Sequence, residues 1–234
     1  MIDYQLSSRV ARVILALSAA FSAACSAPFH MSDTHVTSTP RAPSIDIAVL
    51  VCAPVATLGL IAPAGIQGLS PTVSHALTTA LLETSPPILA VPMPETLNRL
   101  TDQGLAGEYA DMLSGFSRNG ILGRERLQRI GTALRSRYVL QPGLAEFSQV
   151  MADTFEFSGW KLVRTRTLIL RLWLQIWDTQ TGHILWESTG EVTVATPVVR
   201  PESTVSLDEI AQKLWSRIIK DDLLGGKSGS WRCP

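Results

Sequence analysis

Cysteine is scarce in this chain of 234 residues, which has only Cys25, Cys52 and Cys233. Three cysteines exclude a disulfide-rich scaffold, and no C-x-x-C pair points to a zinc ribbon or a redox motif. Histidine is nearly as rare, with His30, His35, His75 and His183 alone, and no H-E-x-x-H or G-x-S-x-G occurs. "GGKSGS" at 225–230 falls short of a phosphate loop, because Asp221 stands where the first glycine is required. With no nucleophile–base pair and no metal-ligand spacing, the sequence offers no catalytic residues, no metal site and no cofactor, and it reads as a non-enzyme. A charge excess is missing too: 20 basic side chains balance 20 acidic ones, which argues against nucleic acid as a partner. Charged residues amount to 17% and hydrophobic ones to 46%, enough apolar material for a substantial core. No internal repeat is present.

What the chain does have begins at its N-terminus. Arg9 and Arg12 precede an apolar stretch at 13–21, and small residues at 22–24 lead to Cys25. Nine apolar residues are too few to span a bilayer, so residues 1–24 read as a secretory signal peptide. The cysteine at the cleavage point resembles a bacterial lipobox, with Ser22 where that motif prefers Leu. This implies that Cys25 becomes the acylated first residue, with palmitate among its chains, and that the partner at this end is a membrane; plain secretion and an uncleaved anchor are the alternatives. Ser26 after it is compatible with sorting to the periplasmic face of the outer membrane. Cys52 and Cys233 are then a candidate disulfide in an oxidising compartment. The alternative is a buried apolar Cys52 and a free thiol at Cys233.

Residues 25–44, rich in Ser, Thr and Pro, read as the lipidated cysteine and a flexible tether. A folded domain is expected over 45–224 and a flexible tail over 225–234. "IDIAVLVC" (45–52) reads as a buried central strand, and 53–70 as a long loop without a single charge. Ser70 and Pro71 open a helix whose face is Val73, Ala76, Leu77, Ala80 and Leu81. A short strand lies between the prolines of 86–93, and two short helices follow, split at Gly104. A basic helix over 124–137 carries Arg124, Arg126 and Arg129, with Arg135 and Arg137 beyond, and turns Leu127, Ile130 and Leu134 inward. Its basic face is either simply solvated or a contact for an acidic partner or lipid headgroups. A strand from Tyr138 is expected to be interrupted at Pro142 and Gly143.

"LRLWLQIWDTQTGHILWES" (170–188) reads as a hairpin turning over 178–182, with Trp177 facing His183. Ile176–Ile184, Leu174–Trp186, Leu172–Ser188, Leu170–Gly190 and Leu168–Val192 then share a core face. The other face carries Arg171, Trp173, Gln175, Trp177, Leu185 and Glu187. Trp173, Trp177, Leu185 and Arg171 are therefore candidates for binding a partner, unless the uncharged loop 53–70 folds over them within the chain. A last helix opens with Ser206 and Glu209 as a capping box and buries Leu207, Ile210, Leu214 and Ile218.

The resulting expectation is a single α/β domain: a mixed sheet of about five strands with a long C-terminal antiparallel hairpin, flanked by four or five helices. The element order, the "IDIAVLVCAP" run behind a lipoprotein leader, and the D-x-x-T-G-x-x-x-W turn from Asp178 to Trp186 together resemble outer-membrane lipoproteins with a TolB N-terminal-like domain. That group includes the curli-export lipoprotein and the lipoprotein activators of penicillin-binding proteins. The resemblance covers about residues 45–224 at the level of pattern. It implies a non-enzymatic protein-binding or assembly module in an envelope complex, with an envelope protein as partner and a homo-oligomer as a further option. The alternatives are a secretion-channel subunit, or a small-molecule-binding or enzymatic domain using the loop 53–70. Two features depart from the group. The segment between Tyr138 and Leu168 has little room for pore-building hairpins, and a 19-residue tether over 26–44 reaches at most about 65 Å.

Overall fold

The structure, a computed structural model, describes residues 33–43, 45–156, 161–197 and 206–225. The signal peptide, Cys25, Cys233 and the tail from 226 lie outside the described residues. The expected mixed α/β architecture is present, with six strands in one open sheet and helices on both of its faces. In chain order these are β1 (Asp33–Ser38), α1 (Ile47–Cys52), β2 (Val55–Thr57), a 3-10 turn (Ala64–Leu69), α2 (Ser70–Leu82), β3 (Ala90–Val91), α3 (Met93–Asp102), α4 (Ala106–Asn119) and α5 (Arg124–Leu134). Then come β4 (Tyr138–Glu156), β5 (Lys161–Asp178), β6 (Ile184–Pro197), α6 (Leu207–Arg217) and a π-helical turn (Ile218–Leu223). The strand order is β1-β6-β5-β4-β2-β3; β2 runs parallel to both of its neighbours, and the other pairs are antiparallel.

The run 45–52 is not a strand but the helix α1, because the Asp46 carboxylate accepts from the N–H groups of Ala48 and Val49 and nucleates a turn. A short apolar run reads the same for a buried strand or a buried helix, and here the cap decides. The parallel strand next to β4 is instead β2, inside the supposed loop 53–70. Only 55–58 of that segment is buried, with Val55, Ala56 and Leu58 at most 1% exposed, whereas 59–70 is half-buried or exposed. The tether does not extend to Ser44, since Asp33–Ser38 pair antiparallel with β6 as an edge strand. One ladder of backbone bonds suffices for an edge strand, and its polar composition hides it. The segment after Tyr138 is longer than expected, with the β4–β5 ladder continuing to Glu156 opposite Lys161. β4 also runs through Pro142 and Gly143, and its irregularity falls between Leu144 and Glu146.

The hairpin turn lies where expected. Asp178 Oδ1 accepts from the Gln180 N–H, and Gly182 has φ +74°. Trp177, however, faces Ile184 rather than His183, and Ile176 faces Trp186, so Leu185 is an extra residue in β6. Every pair beyond is therefore offset by two from the expected register: Leu174–Ser188, Leu172–Gly190, Leu170–Val192 and Leu168–Val194. An even offset keeps each side chain on its face. The expected core face consequently holds, with Leu170, Leu172, Leu174 and Ile176 fully buried.

That face is covered by α2 and α6. Gly190 allows the close approach, because a Cβ there would lie 2.9 Å from both Leu214 and Ile218 side-chain atoms. Trp215 is fully buried and its Nε1 donates to the Val73 carbonyl at 3.1 Å, joining the two helices. Ser206 caps α6 by accepting from the Glu209 N–H, whereas the Glu209 carboxylate pairs with Lys213, so only half of the capping box forms.

Among the described residues the opposite face is covered only at its turn end, by α3, α4 and α5. A second core there joins Leu58, Leu100, Tyr109, Phe116, Leu127, Ile130, Val139 and Trp177, with Ile61 and Trp173 packed at its margin. Burial pushes the Tyr109 hydroxyl up to about 12, partly offset by the Gly59 N–H that it accepts at 2.7 Å.

Candidate functional site: an open sheet face and a basic cleft

Two surface features carry side chains with unspent interactions. The first is the part of the sheet beyond the reach of α3–α5. There Arg171 stands between Glu146 on β4 and Glu191 on β6, directly across the strands. Its Nε donates to Glu191 at 2.8 Å and its Nη1 lies 3.1 Å from Glu146. The hydrogen bond to Glu191 and then the charges of Glu191 and Glu146 hold the guanidinium above its ordinary range. Two rows nearer the turn, Trp177 Nε1 donates to Gln175 Oε1 at 3.0 Å, and Gln175 in turn donates to Glu187. Arg171, Glu146 and Glu191 are each about two-fifths exposed, so this row faces water. Three carboxylates against one guanidinium make the face acidic, and His35 on β1 lies opposite Glu191.

This geometry divides the expected partner-binding set. Trp177 and Leu185 are each 4% exposed and belong to the chain's own interior. Trp177 meets the Phe116 ring edge-on at 6.3 Å, and the loop 53–70 contributes Leu58 and Ile61 to the same core. Internal cover thus accounts for the turn end of the face, with helix α4 supplying part of the cover that was expected from the loop. Trp173 is half-buried at the boundary, 5.9 Å from Phe116, and only Arg171 is well exposed.

The basic helix divides as well. Arg129 is bound by Glu108 through Nε at 2.8 and 3.1 Å. Arg124 packs its stem against the turn, where a Cβ on Gly182 would lie 2.9 Å from Arg124 Cγ. Arg126 is exposed. The helix ends three residues early, because Arg135 adopts the left-handed conformation at φ +52° and closes α5 where glycine is usual.

The chain beyond that cap forms the second feature, a cleft of about 490 Å³ between the end of α5 and the β5–β6 turn. Gln128, Thr132, Arg135, Arg137, Thr179 and Gln180 line it. α5 approaches the turn closely at Gly131, where a Cβ would lie 2.4 Å from Thr179. The Thr179 hydroxyl lies 3.0 Å from the carbonyls of both Ser136 and Arg137, and its single proton is shared between them, which ties the turn to the start of β4. Arg137 stacks on Tyr138, 5.2 Å from its ring centre, and reaches Asp178 only at 3.5 Å. Sequence reading missed this cleft. The one signal available was a helix ending in Arg-Ser-Arg with no glycine to close it.

Cys52 is disulfide-bonded, and its partner lies outside the described residues. Among the described residues no group of three or more His, Cys, Asp or Glu is placed to hold a metal ion, and no helix is long and apolar enough to cross a membrane.

No protein-family model matches the chain, and no curated protein matches its sequence. Solved structures do resemble it. The PelC dodecamer from Paraburkholderia phytofirmans is 12% identical with a TM-score of 0.44, over 80% of this chain and 95% of that one. Lipoprotein GNA1162 from Neisseria meningitidis is 12% identical with a TM-score of 0.44, over 75% and 99%. The LpoB C-terminal domain from Salmonella enterica is 14% identical with a TM-score of 0.39, over 64% and 87%. At such scores and identities, these likenesses carry no conclusion about family, partner or assembly.

Proposed function

We propose that the chain is a non-enzymatic lipoprotein, anchored through Cys25 at the periplasmic face of the outer membrane, that binds a protein partner of the cell envelope. Two observations support this reading: the leader that ends in small residues and Cys25, and the acidic, half-exposed sheet face around Arg171. Transfer of a diacylglyceryl group from a phospholipid, with its headgroup leaving, would alkylate the Cys25 sulfur to a thioether, which leaves Cys233 to bond Cys52. More than one acyl chain is needed for a stable hold on the membrane. Cys25→Ala is expected to move the protein from the membrane pellet to the soluble fraction. Peptide mapping of the wild-type protein, extracted from membranes, is expected to find acyl chains on Cys25 and a Cys52–Cys233 bridge. A mutant that pellets with membranes after a high-salt wash, or a bridge from Cys52 to Cys25, would refute the anchor.

The partner is expected to present basic groups, since three carboxylates face outward against one guanidinium. Glu146→Lys combined with Glu187→Lys inverts the sign of that face at half-exposed positions. The variant is expected to keep its melting temperature and to lose the protein that cross-links to the wild type in native detergent. Cross-linking of the same protein by both forms would exclude this face as the docking surface.

A further inference from the structure

We infer that the cleft between the end of α5 and the β5–β6 turn binds a phosphoryl group, carried either on a soluble phosphate ester or on a lipid headgroup. Two guanidiniums, Arg135 and Arg137, line one polar cavity. Arg135 has no ion pair among the described residues. Asp178, the carboxylate that Arg137 reaches, is 2% exposed; its Oδ1 already accepts the Gln180 N–H at 2.8 Å, and its Oδ2 is 3.5 Å from Arg137. The cleft therefore keeps a net positive charge. An adjoining depression on the same helix shows the contrast, because Glu125 lines it and its Arg129 is bound by Glu108.

The carbonyl end of a helix would ordinarily repel an anion. Here its last carbonyls are occupied. Gly131 and Thr132 accept the N–H groups of Ser136 and Arg135, the Gln103 amide donates to Ala133 at 3.1 Å, and Arg99 lies 3.5 Å from Leu134. What faces the cleft is thus mainly the guanidinium pair, whose planar forks suit phosphate oxygens. A volume of about 490 Å³ exceeds a bare ion and fits a phosphoryl group with something attached. Arg135 is also the only non-glycine residue at positive φ among the described residues. Glycine would take that conformation with less strain, so the arginine is held there against local preference.

The test uses the purified full chain in neutral micelles, followed by amide NMR. The probes are inorganic phosphate and glycerol phosphate at constant ionic strength, and phosphatidylglycerol vesicles set against phosphatidylcholine vesicles. Saturable shifts are expected at residues 132–137 and 179–180. Arg135→Gly is expected to weaken binding about tenfold or more, because it removes a charge-assisted contact, while its melting temperature stays level or rises. Arg137→Gln, which leaves the left-handed residue in place, is expected to weaken binding too, and Arg126→Gln to leave it unchanged. A response to the soluble phosphates assigns a soluble ester; a response to phosphatidylglycerol alone assigns a headgroup. The inference is overturned if no probe gives a saturable response, if Arg135→Gly and Arg137→Gln both bind as the wild type does, or if Arg126→Gln loses as much. None of these outcomes depends on acylation of Cys25.

Discussion

Gly143→Val is expected to destabilise the domain by about 4 kcal/mol, beyond the usual range for overpacking. Gly143 pairs with Trp173 across β4 and β5, and the indole lies over the bare Cα. A Cβ on residue 143 would stand 1.8 Å from Trp173 Cε2 and 2.1 Å from Cζ2, well inside any tolerable contact. The ring cannot simply swing away, because it packs at the margin of the second core, 5.9 Å from Phe116. The backbone offers little relief, since Ile61 bridges to Gly143 and its carbonyl accepts the Leu144 N–H at 2.8 Å. The decisive measurement is a double-mutant cycle in denaturant melts. With Trp173→Ala in the background the valine should cost far less, a coupling of about 2 kcal/mol. An equal penalty in both backgrounds would show that the indole is not what keeps residue 143 bare.

That contact illustrates what sequence could and could not reveal. The alternation over 168–176 identified the buried face of β5 correctly, because period two survives a two-residue error in register. One residue of that error came from the turn, which sets Trp177 opposite Ile184, and the other from Leu185, an extra residue in β6 that no local pattern announces. The helices α2 and α5 were legible because their apolar stripes and the Ser70–Pro71 start are local. β1 and β2 were not, since a polar edge strand and a three-residue buried strand gain their stability from ladders to distant residues. In the same way, Arg135 and Arg137 were legible as basic residues, but the cleft exists only where α5 meets the turn of a hairpin more than forty residues later. The acidic sheet face was half legible: Arg171 and Glu187 were in view, whereas Glu146 and Glu191 became their neighbours only through pairing.

Trp177→Glu is expected to be the most damaging of these substitutions, at more than about 5 kcal/mol near neutral pH, so that the domain no longer melts cooperatively. Trp177 is 4% exposed, meets Phe116 edge-on, and gives its indole N–H to Gln175 at 3.0 Å. Loss of the indole removes a large apolar contact at a cost of about 3–5 kcal/mol. A carboxylate in its place adds the cost of a charge buried in a core that has no basic side chain among the described residues. Such a carboxyl has its folded-state pKa raised above the unfolded value of about 4.3. The folded state then binds the extra proton, and stability rises as pH falls through that raised pKa. Trp177→Glu should therefore recover part of its loss between about pH 8 and pH 5, measured against wild type, whereas Trp177→Ala should show no such recovery. A Trp177→Glu protein that melts like wild type would return Trp177 to the surface and to the partner face. With Trp177 in the core, a partner lost by this variant reports unfolding, and the docking surface must be sought at Glu146, Arg171 and Glu187, where charge can be changed without opening the interior.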